Sequence, residues 1–261
     1  MLVRTTVVAV GLFTTQALAN VTSGSFTRTE NWVTSPGGDP CQQAWGASWN
    51  INLTTCVLTI SQTVRLNTGA GSAAPSAAEM NNWESRIEST WNNAAYTALC
   101  INTNSGATKT FTLRYDIMFT TTLNTFDASV NVFDGAGSTD SGNWYRDGGS
   151  GVNVNNINVA AHEVGHLLGN PDEYTNGGCI VAGSAVNGPA FTTTSLMNNT
   201  NSSIAGVPVG RTQPRHYGAW ELAFNAYDTG KNLGNIYAII PAPGVVVMLP
   251  VGVVVAMRRR R

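Results

Sequence analysis

The sequence is poor in charge, and basic residues are scarce in its central part. Charged residues make up 11% of the 261 residues, with 14 Lys and Arg against 15 Asp and Glu. Five of the basic residues lie close to the two ends, so residues 20–238 carry nine basic and 15 acidic residues, a formal charge of −6. A domain of this charge is not expected to bind nucleic acid.

The sequence also lacks a long hydrophobic run. The apolar stretch from Gly244 to Met257 is interrupted by Pro250 and is shorter than the roughly 20 residues that a membrane-spanning helix needs. A free-standing membrane helix is therefore disfavoured. We expect membrane contact only through the C-terminal tail that contains this stretch.

Cysteine is scarce too, and it is not arranged as a metal site. The four cysteines, Cys41, Cys56, Cys100 and Cys179, show no C-x-x-C spacing, so a cysteine-ligated zinc ion is disfavoured. An even number of cysteines in an exported chain favours two disulfides, for which three pairings exist. We favour Cys41 with Cys56, across a short loop, and Cys100 with Cys179.

The two ends have the composition of sorting signals. Residues 1–19 carry a single positive charge, an apolar run and a small-x-small cleavage signal, which is typical of a secretory signal peptide. Residues 239–261 contain Pro241 and Pro243, a short apolar segment and four terminal arginines. Residues 20–238, roughly 220 residues, are left as one expected domain.

The C-terminal segment resembles the tripartite tails that bacterial exosortase systems process, the PEP-CTERM type. The match is loose, because Ala242 stands where a glutamate is usual between the two prolines. The resemblance implies an exported protein that is extracellular or associated with the cell surface. A buried terminal hairpin is the alternative.

Apolar periodicity predicts an α+β domain. Strict alternation from Leu58 to Leu66 and from Phe111 to Phe119 predicts two strands, and Val130 with Val132 predicts a shorter one. Ser76 followed by Glu79 is a capping box that begins a helix. An apolar stripe predicts that this helix runs for about five turns, through Met80, Trp83, Ile87, Trp91, Ala94 and Ala98. We expect irregular strands and turns at 20–55 and loops at 175–214.

The segment from Ala161 to Tyr174 predicts a metal site. On a helix, residues four apart lie about 40° from each other and roughly 6 Å along the axis, so His162 and His166 present both imidazoles from one face. Glu163 would then lie beside the metal, where its carboxylate can take a proton from a zinc-activated water. Apolar flanking residues predict that much of this helix is buried.

A turn and a third ligand are expected directly after this helix. Gly169 can adopt the left-handed conformation that ends a helix, and Pro171 disfavours its continuation. Asp172 is the first residue after the turn whose oxygen could return to the metal. The rival ligands are His216 and Glu221, which lie much further along the chain.

These residues resemble the metzincin metalloproteases, whose motif is H-E-x-x-H-x-x-G-x-x-H followed by a methionine turn. Asp172 replaces the last histidine, as in the snapalysin type of small secreted bacterial protease, and Ser195-Leu196-Met197 matches the methionine turn. The resemblance covers about 40 residues and implies a zincin fold: a twisted mixed sheet, a long backing helix, an active-site helix and a loop-rich C-terminal half. It also implies an edge strand that pairs with substrate, at Ser129–Phe133 or Asn143–Arg146.

The expected function is that of an exported, monomeric zinc endopeptidase acting on proteins or peptides, with Glu163 as general base. Tyr217 or His216 is expected to stabilise the tetrahedral oxyanion. Two alternatives stay open, a zinc amidase acting on cell-wall peptide and a non-catalytic surface adhesin with a relict zinc site. Asp134, Asp140 and Asp147, with six glycines between positions 134 and 151, mark a candidate Ca²⁺ loop that fits no EF-hand pattern. A plain loop is the alternative there.

Overall fold

Strands dominate the part of the chain that the computed structural model describes. The described residues are 23–33, 40–92, 96–147, 152–156, 158–171, 196–197, 203–204, 207–208, 212 and 214–241. The strands are β1 (Ser23–Val33), β2 (Pro40–Asn52), β3 (Val57–Thr68), β4 (Tyr96–Asn102), β5 (Thr108–Thr120), β6 (Ala128–Ala136), β7 (Asn143–Asp147), β8 (Ser203–Ile204), β9 (Val207–Pro208) and β10 (Asn235–Pro241). The helices are α1 (Ala77–Trp91), α2 (Val159–Leu167) and α3 (Gly218–Lys231), with a 3-10 turn at Pro214–Tyr217.

Eight of these strands form one mixed sheet, so the α+β class predicted from the sequence is confirmed. The strand order is β1-β2-β3-β5-β4-β10, and β6 pairs with both β3 and β7. The pairs β3/β5, β3/β6 and β6/β7 are parallel, and the others are antiparallel. On one edge of β3 the partner changes along the strand, because β2 pairs with its first half and β6 with its second half. This change of partner accompanies the curl of the sheet.

The predicted central strands are confirmed. In β3 and β5, buried residues alternate with more exposed ones, as expected for a sheet with one covered face. Residues 20–55 were expected to form irregular strands and turns; strands are present there, but β1 and β2 are long and regular. These strands form an uninterrupted antiparallel pair from Ser23↔Asn50 to Val33↔Pro40. The buried side of β2 includes the small residue Ala47 between Trp45 and Trp49, which weakens the apolar signal in the sequence.

Helix α1 begins where the capping box predicts and ends earlier than its apolar stripe predicts. The Ser76 side chain accepts a hydrogen bond from the Glu79 backbone, and the Glu79 carboxylate accepts one from the Ser76 backbone. At the other end, the Asn92 side chain accepts from the backbone N–H of Tyr115 (2.6 Å) and donates to the carbonyl of the same residue (2.9 Å). Ala98 therefore lies in β4 and not in the helix.

Side chains from α1 and α3 cover two open strand edges. Glu84 and Glu88 of α1 and its C-cap residue Asn92 accept from the backbone N–H groups of Phe119, Ile117 and Tyr115 in β5. Glu221, Asn225 and Asp228 of α3 accept in the same way from Ile239, Tyr237 and Asn235 in β10. A helical spacing of three or four residues rises roughly 4.5 to 6 Å, which is close to the roughly 6.6 Å that two strand residues advance.

Strand β10 changes the expected boundary of the C-terminal tail. Its pairing with β4 continues through Ile239↔Ala98 to Pro241↔Tyr96, so the sheet includes the first three residues of the segment 239–261. The residues from 242 onward lie outside the described part of the chain. Among the described residues, no helix is long and apolar enough to cross a membrane.

Candidate metal centre

Helix α2 is buried along its whole length, as its apolar flanks predict. All nine of its residues are buried. The exposed fractions of His162, Glu163 and His166 are 3%, 6% and 8%. These low exposures rule out a histidine pair on an exposed surface helix, because the side chains of His162, Glu163 and His166 are all buried.

The three side chains form a group that could bind a metal ion. The candidate ligand atoms of His162, Glu163 and His166 all lie within 4.8 Å of one another. The two imidazole rings have centroids 5.0 Å apart and are nearly perpendicular, at 89°. The prediction that residues four apart bring both rings to one side of α2 is confirmed.

Backbone carbonyls fix the orientation of both imidazole rings. Nδ1 of His162 lies 2.8 Å from the carbonyl oxygen of Leu196, and Nδ1 of His166 lies 2.8 Å from that of Asn170. A carbonyl oxygen can only accept a hydrogen bond, so each Nδ1 carries the proton. In the neutral ring the lone pair is then on Nε2, and this pattern is typical of histidines that ligate metals.

The turn after α2 forms as predicted. Gly169 has a φ of 86°, which is the left-handed conformation expected of a glycine that ends a helix. The backbone N–H of Asn170 donates to the carbonyl of Gly165 (3.0 Å), and its buried side chain donates to the same oxygen (3.1 Å). Asp172 lies outside the described residues, so its role as third ligand stays a prediction.

Gln62 of β3 supports the end of α2, and the sequence analysis missed it. Its side-chain Nε2 donates to the carbonyls of Leu167 (2.8 Å) and Gly46 (3.0 Å), and its Oε1 accepts from the hydroxyl of Tyr115 (2.8 Å). Gln62 is 1% exposed. A polar residue on the apolar side of a predicted strand was the signal that could have identified it.

Helix α1 holds the segment that leads into α2. The Arg86 guanidinium donates to the carbonyls of Asn155 and Asn156, and Trp83 Nε1 donates to the Asn155 side chain. Trp91 Nε1 donates to the carbonyl of Ala161, the residue before the first histidine (3.0 Å). The aromatic stripe of α1 therefore packs in the core and also orients α2.

Met197 packs against the helix that carries the two histidines. Leu196 and Met197 are fully buried. A Cβ atom added to Gly165 would collide with Sδ of Met197 and would lie 3.3 Å from the ring of Trp91. The structure therefore places Met197 next to α2, in contact with the residue that precedes His166.

The other predicted site residues that the structure describes have contacts of their own. Tyr217 donates its hydroxyl to the carbonyl of Trp91 (2.8 Å), and burial raises the pKa of Tyr217. The hydroxyl hydrogen of Tyr217 is thus engaged by a core carbonyl, and the expectation that Tyr217 stabilises an oxyanion stays a prediction. His216 is 1% exposed beside Trp91, and neither it nor Glu221 belongs to the histidine–glutamate group.

The structure contradicts the favoured pairing of Cys41 with Cys56. Cys41 lies near the start of β2 and Cys56 lies just beyond its end, roughly 36 Å apart along an extended strand, whereas bridged Cα atoms lie within about 7 Å. Cys56 and Cys100 are both free thiols. Cys179 lies outside the described residues, and burial raises the pKa of the Cys100 thiol to about 11.

The acidic residues of the candidate calcium loop have other partners. Asp134 accepts from the backbone N–H of Ala73 and pairs with Arg146. Asp140 accepts from the backbone N–H groups of Gly142 and Asn143 at 2.8 Å. Among the described residues, the histidine–glutamate group is the only group of three or more His, Cys, Asp or Glu side chains that could hold a metal ion, so the candidate calcium loop gains no support over a plain loop.

The expected substrate-binding edge is covered by the chain itself. β7 is the outer strand beside β6, so Asn143–Arg146 is the outer segment of the two candidates. The backbone of Asn143 bonds to Asp140, and the N–H of Tyr145 donates to the Thr139 side chain. The Tyr145 carbonyl accepts from Val154 (2.9 Å). A substrate strand would have to displace these contacts.

Comparison with known proteins finds no match to a family model, a curated protein or a solved structure. His162, Glu163 and His166 form a buried group of two imidazoles and one carboxylate that could bind a metal ion.

Proposed function

We propose that this protein is a zinc-dependent endopeptidase of the metzincin type. The observation that carries the proposal is the arrangement of the two imidazoles of α2, whose Nδ1 atoms donate to the carbonyls of Leu196 and Asn170. Two imidazole nitrogens and a nearby carboxylate suit zinc, which favours nitrogen ligands and a small number of protein donors. A catalytic site needs only three protein ligands, and the fourth position is left for substrate or water.

In this proposal His162, His166 and Asp172 hold the metal and Glu163 moves the proton. When bound, Zn²⁺ supplies Lewis acidity, which lowers the pKa of water and polarises a carbonyl group. Glu163 accepts a proton as water oxygen attacks the peptide carbonyl carbon. The same carboxyl group then returns that proton to the amide nitrogen as the C–N bond breaks. The apolar packing around α2 limits access of other water to the carboxylate.

Two further observations support the metzincin comparison. Gly169 adopts the left-handed conformation just after α2, as expected for the glycine three residues before Asp172. Met197 packs against Gly165 of α2, which supports the interpretation of Ser195-Leu196-Met197 as the methionine turn. The proposal also makes the protein a monomeric, exported enzyme that acts on a protein or peptide, with a sorting tail after β10.

A digestion assay on the purified protein tests this proposal. Casein should be cleaved at internal bonds, a metal chelator should stop the cleavage, and added Zn²⁺ should restore it. Purified peptidoglycan serves as the competing substrate, because turbidity loss without casein cleavage would favour a cell-wall amidase. Zinc binding with no hydrolysis of either polymer would favour an adhesin and contradict the proposed activity.

A further inference from the structure

Gln62 connects β3, in the middle of the sheet, to Leu167, the last residue of α2. It lies 105 residues before Leu167, and its amide donates to the Leu167 carbonyl at 2.8 Å. Leu167 follows His166 directly. The contact therefore connects the last turn of α2, which carries the predicted ligand His166, to β3.

Both acceptors of the Gln62 amide lie where regular backbone hydrogen bonding ends on the side that faces Gln62. Leu167 is the final residue of α2, where carbonyl groups have no partner within the helix. Gly46 pairs with Thr27 of β1, but it lies beyond the pairing of β2 with β3, which ends at Ser48↔Ser61. One buried amide thus satisfies two buried carbonyls, and neither could be left without a donor at low cost.

Tyr115 sets which way the Gln62 amide points. Its hydroxyl donates to Oε1 of Gln62 at 2.8 Å, so the amide nitrogen must point toward Leu167 and Gly46. Burial raises the pKa of Tyr115 well above its ordinary value, so the phenol stays protonated and remains a donor. Tyr115, a residue of β5 in the sheet, therefore fixes the orientation of the amide.

We propose that Gln62 is a positioning residue of the metal centre, which sets the affinity and geometry of the bound ion by fixing the last turn of α2. This inference rests on the proposed function, because it requires that His162 and His166 bind the ion. The helix has nine residues, and helices shorter than about 12 residues are marginal without tertiary support. The His166 contact to Asn170 lies within the same turn and cannot fix that turn relative to the sheet.

Cobalt binding by the full-length chain tests the inference without measuring hydrolysis. Gln62→Met keeps the length of the side chain and removes both donors. We expect Co²⁺ affinity, measured by competition with a coloured chelator, to fall about tenfold, as for other outer-shell changes. The visible absorption bands of bound Co²⁺ should also shift, because they report the ligand geometry.

Two matched variants separate positioning from a general loss of stability. Leu58→Ala removes a fully buried side chain from the same strand, so it should lower the melting temperature and leave Co²⁺ affinity and spectrum unchanged. Tyr115→Phe keeps the ring and removes the hydroxyl that orients the amide. Tyr115→Phe should also weaken Co²⁺ binding, by a smaller factor than Gln62→Met. This second variant still tests the inference if Gln62→Met does not fold.

The outcomes distinguish this inference from the proposed function. Wild-type affinity and spectrum in both Gln62→Met and Tyr115→Phe would overturn the positioning role, and so would an equal loss of affinity in Leu58→Ala. If the wild-type protein itself binds no Co²⁺ or Zn²⁺, the proposed metal centre is wrong, and the positioning role is wrong with it.

Discussion

The Nδ1 atom of His162 lies 2.8 Å from the carbonyl oxygen of Leu196, which is 34 residues further along the chain. Met197 follows Leu196 directly and packs against Gly165 of the same helix. One short segment therefore contacts α2 twice, once through a backbone oxygen and once through a side chain. The first contact determines which nitrogen of His162 has a lone pair, and the second packs the Met197 side chain directly against the backbone of α2.

Replacing Glu163 by Gln should separate metal binding from catalysis. The amide cannot accept a proton from water, so the rate of peptide cleavage should fall by about 10²- to 10⁴-fold, the usual contribution of a general base. Zinc content should stay at the wild-type level, because His162 and His166 are unchanged. Parallel measurement of cleavage rate and zinc content checks this, and a wild-type rate would exclude Glu163 as the base.

Asp172→Ala should weaken zinc binding strongly. Loss of a direct ligand should cost more than the roughly 10- to 100-fold that outer-shell changes cost. Glu221→Ala is the matched acidic control, because Glu221 accepts from the backbone of Ile239 and lies outside the histidine–glutamate group. His216→Ala is a second control. Competition titrations give each affinity, and unchanged affinity in Asp172→Ala would remove the basis for the metzincin comparison.

The sequence was most informative where a structural signal is local. The start of α1 was predictable because Ser76 and Glu79 cap each other within one turn. The end of α1 was not, because Asn92 contacts Tyr115, 23 residues away, and nothing near Asn92 marks that contact. The two histidines of α2 were predictable for the same reason, because their spacing of four residues is also a local signal.

Long-range contacts explain the wrong or missing predictions. Gln62 lies in a strand that was correctly predicted, but its partner Leu167 is 105 residues later. Cys41 and Cys56 are close in sequence, but Cys41 lies near the start of the extended strand β2 and Cys56 lies beyond its end. The short sequence separation favoured a loop closed by a disulfide, and the length of the strand excludes it.

Gly165→Ala should destabilise the protein, although alanine is normally better than glycine in a helix. The added methyl group would collide with Sδ of Met197, and overpacking of this kind costs about 1–3 kcal/mol. Gly230→Ala in α3 is the control, because a Cβ there meets nothing within 4 Å and should stabilise by up to about 1 kcal/mol. Denaturant unfolding of both variants measures the difference, and equal effects would argue against the close Met197 contact.

The two cysteines with described side chains should differ in reactivity. Cys56 is partly exposed, whereas Cys100 is 2% exposed and burial raises the pKa of its thiol to about 11. The thiolate is the reactive form, so iodoacetamide at pH 8 should label Cys56 in the native protein and Cys100 only after unfolding. Mass spectrometry without reduction measures this labelling. If neither cysteine is labelled in denaturant, both are in disulfides, as the sequence analysis expected.

The zinc content of the purified full-length chain tests the central claim most directly. After expression with added zinc and removal of loosely bound metal, elemental analysis should find one zinc ion per wild-type chain. His162→Ala and His166→Ala should each retain almost none, while the control variant His216→Ala should match the wild type. Zinc absent from the wild type, or retained equally by all three histidine variants, would contradict a metal centre on α2.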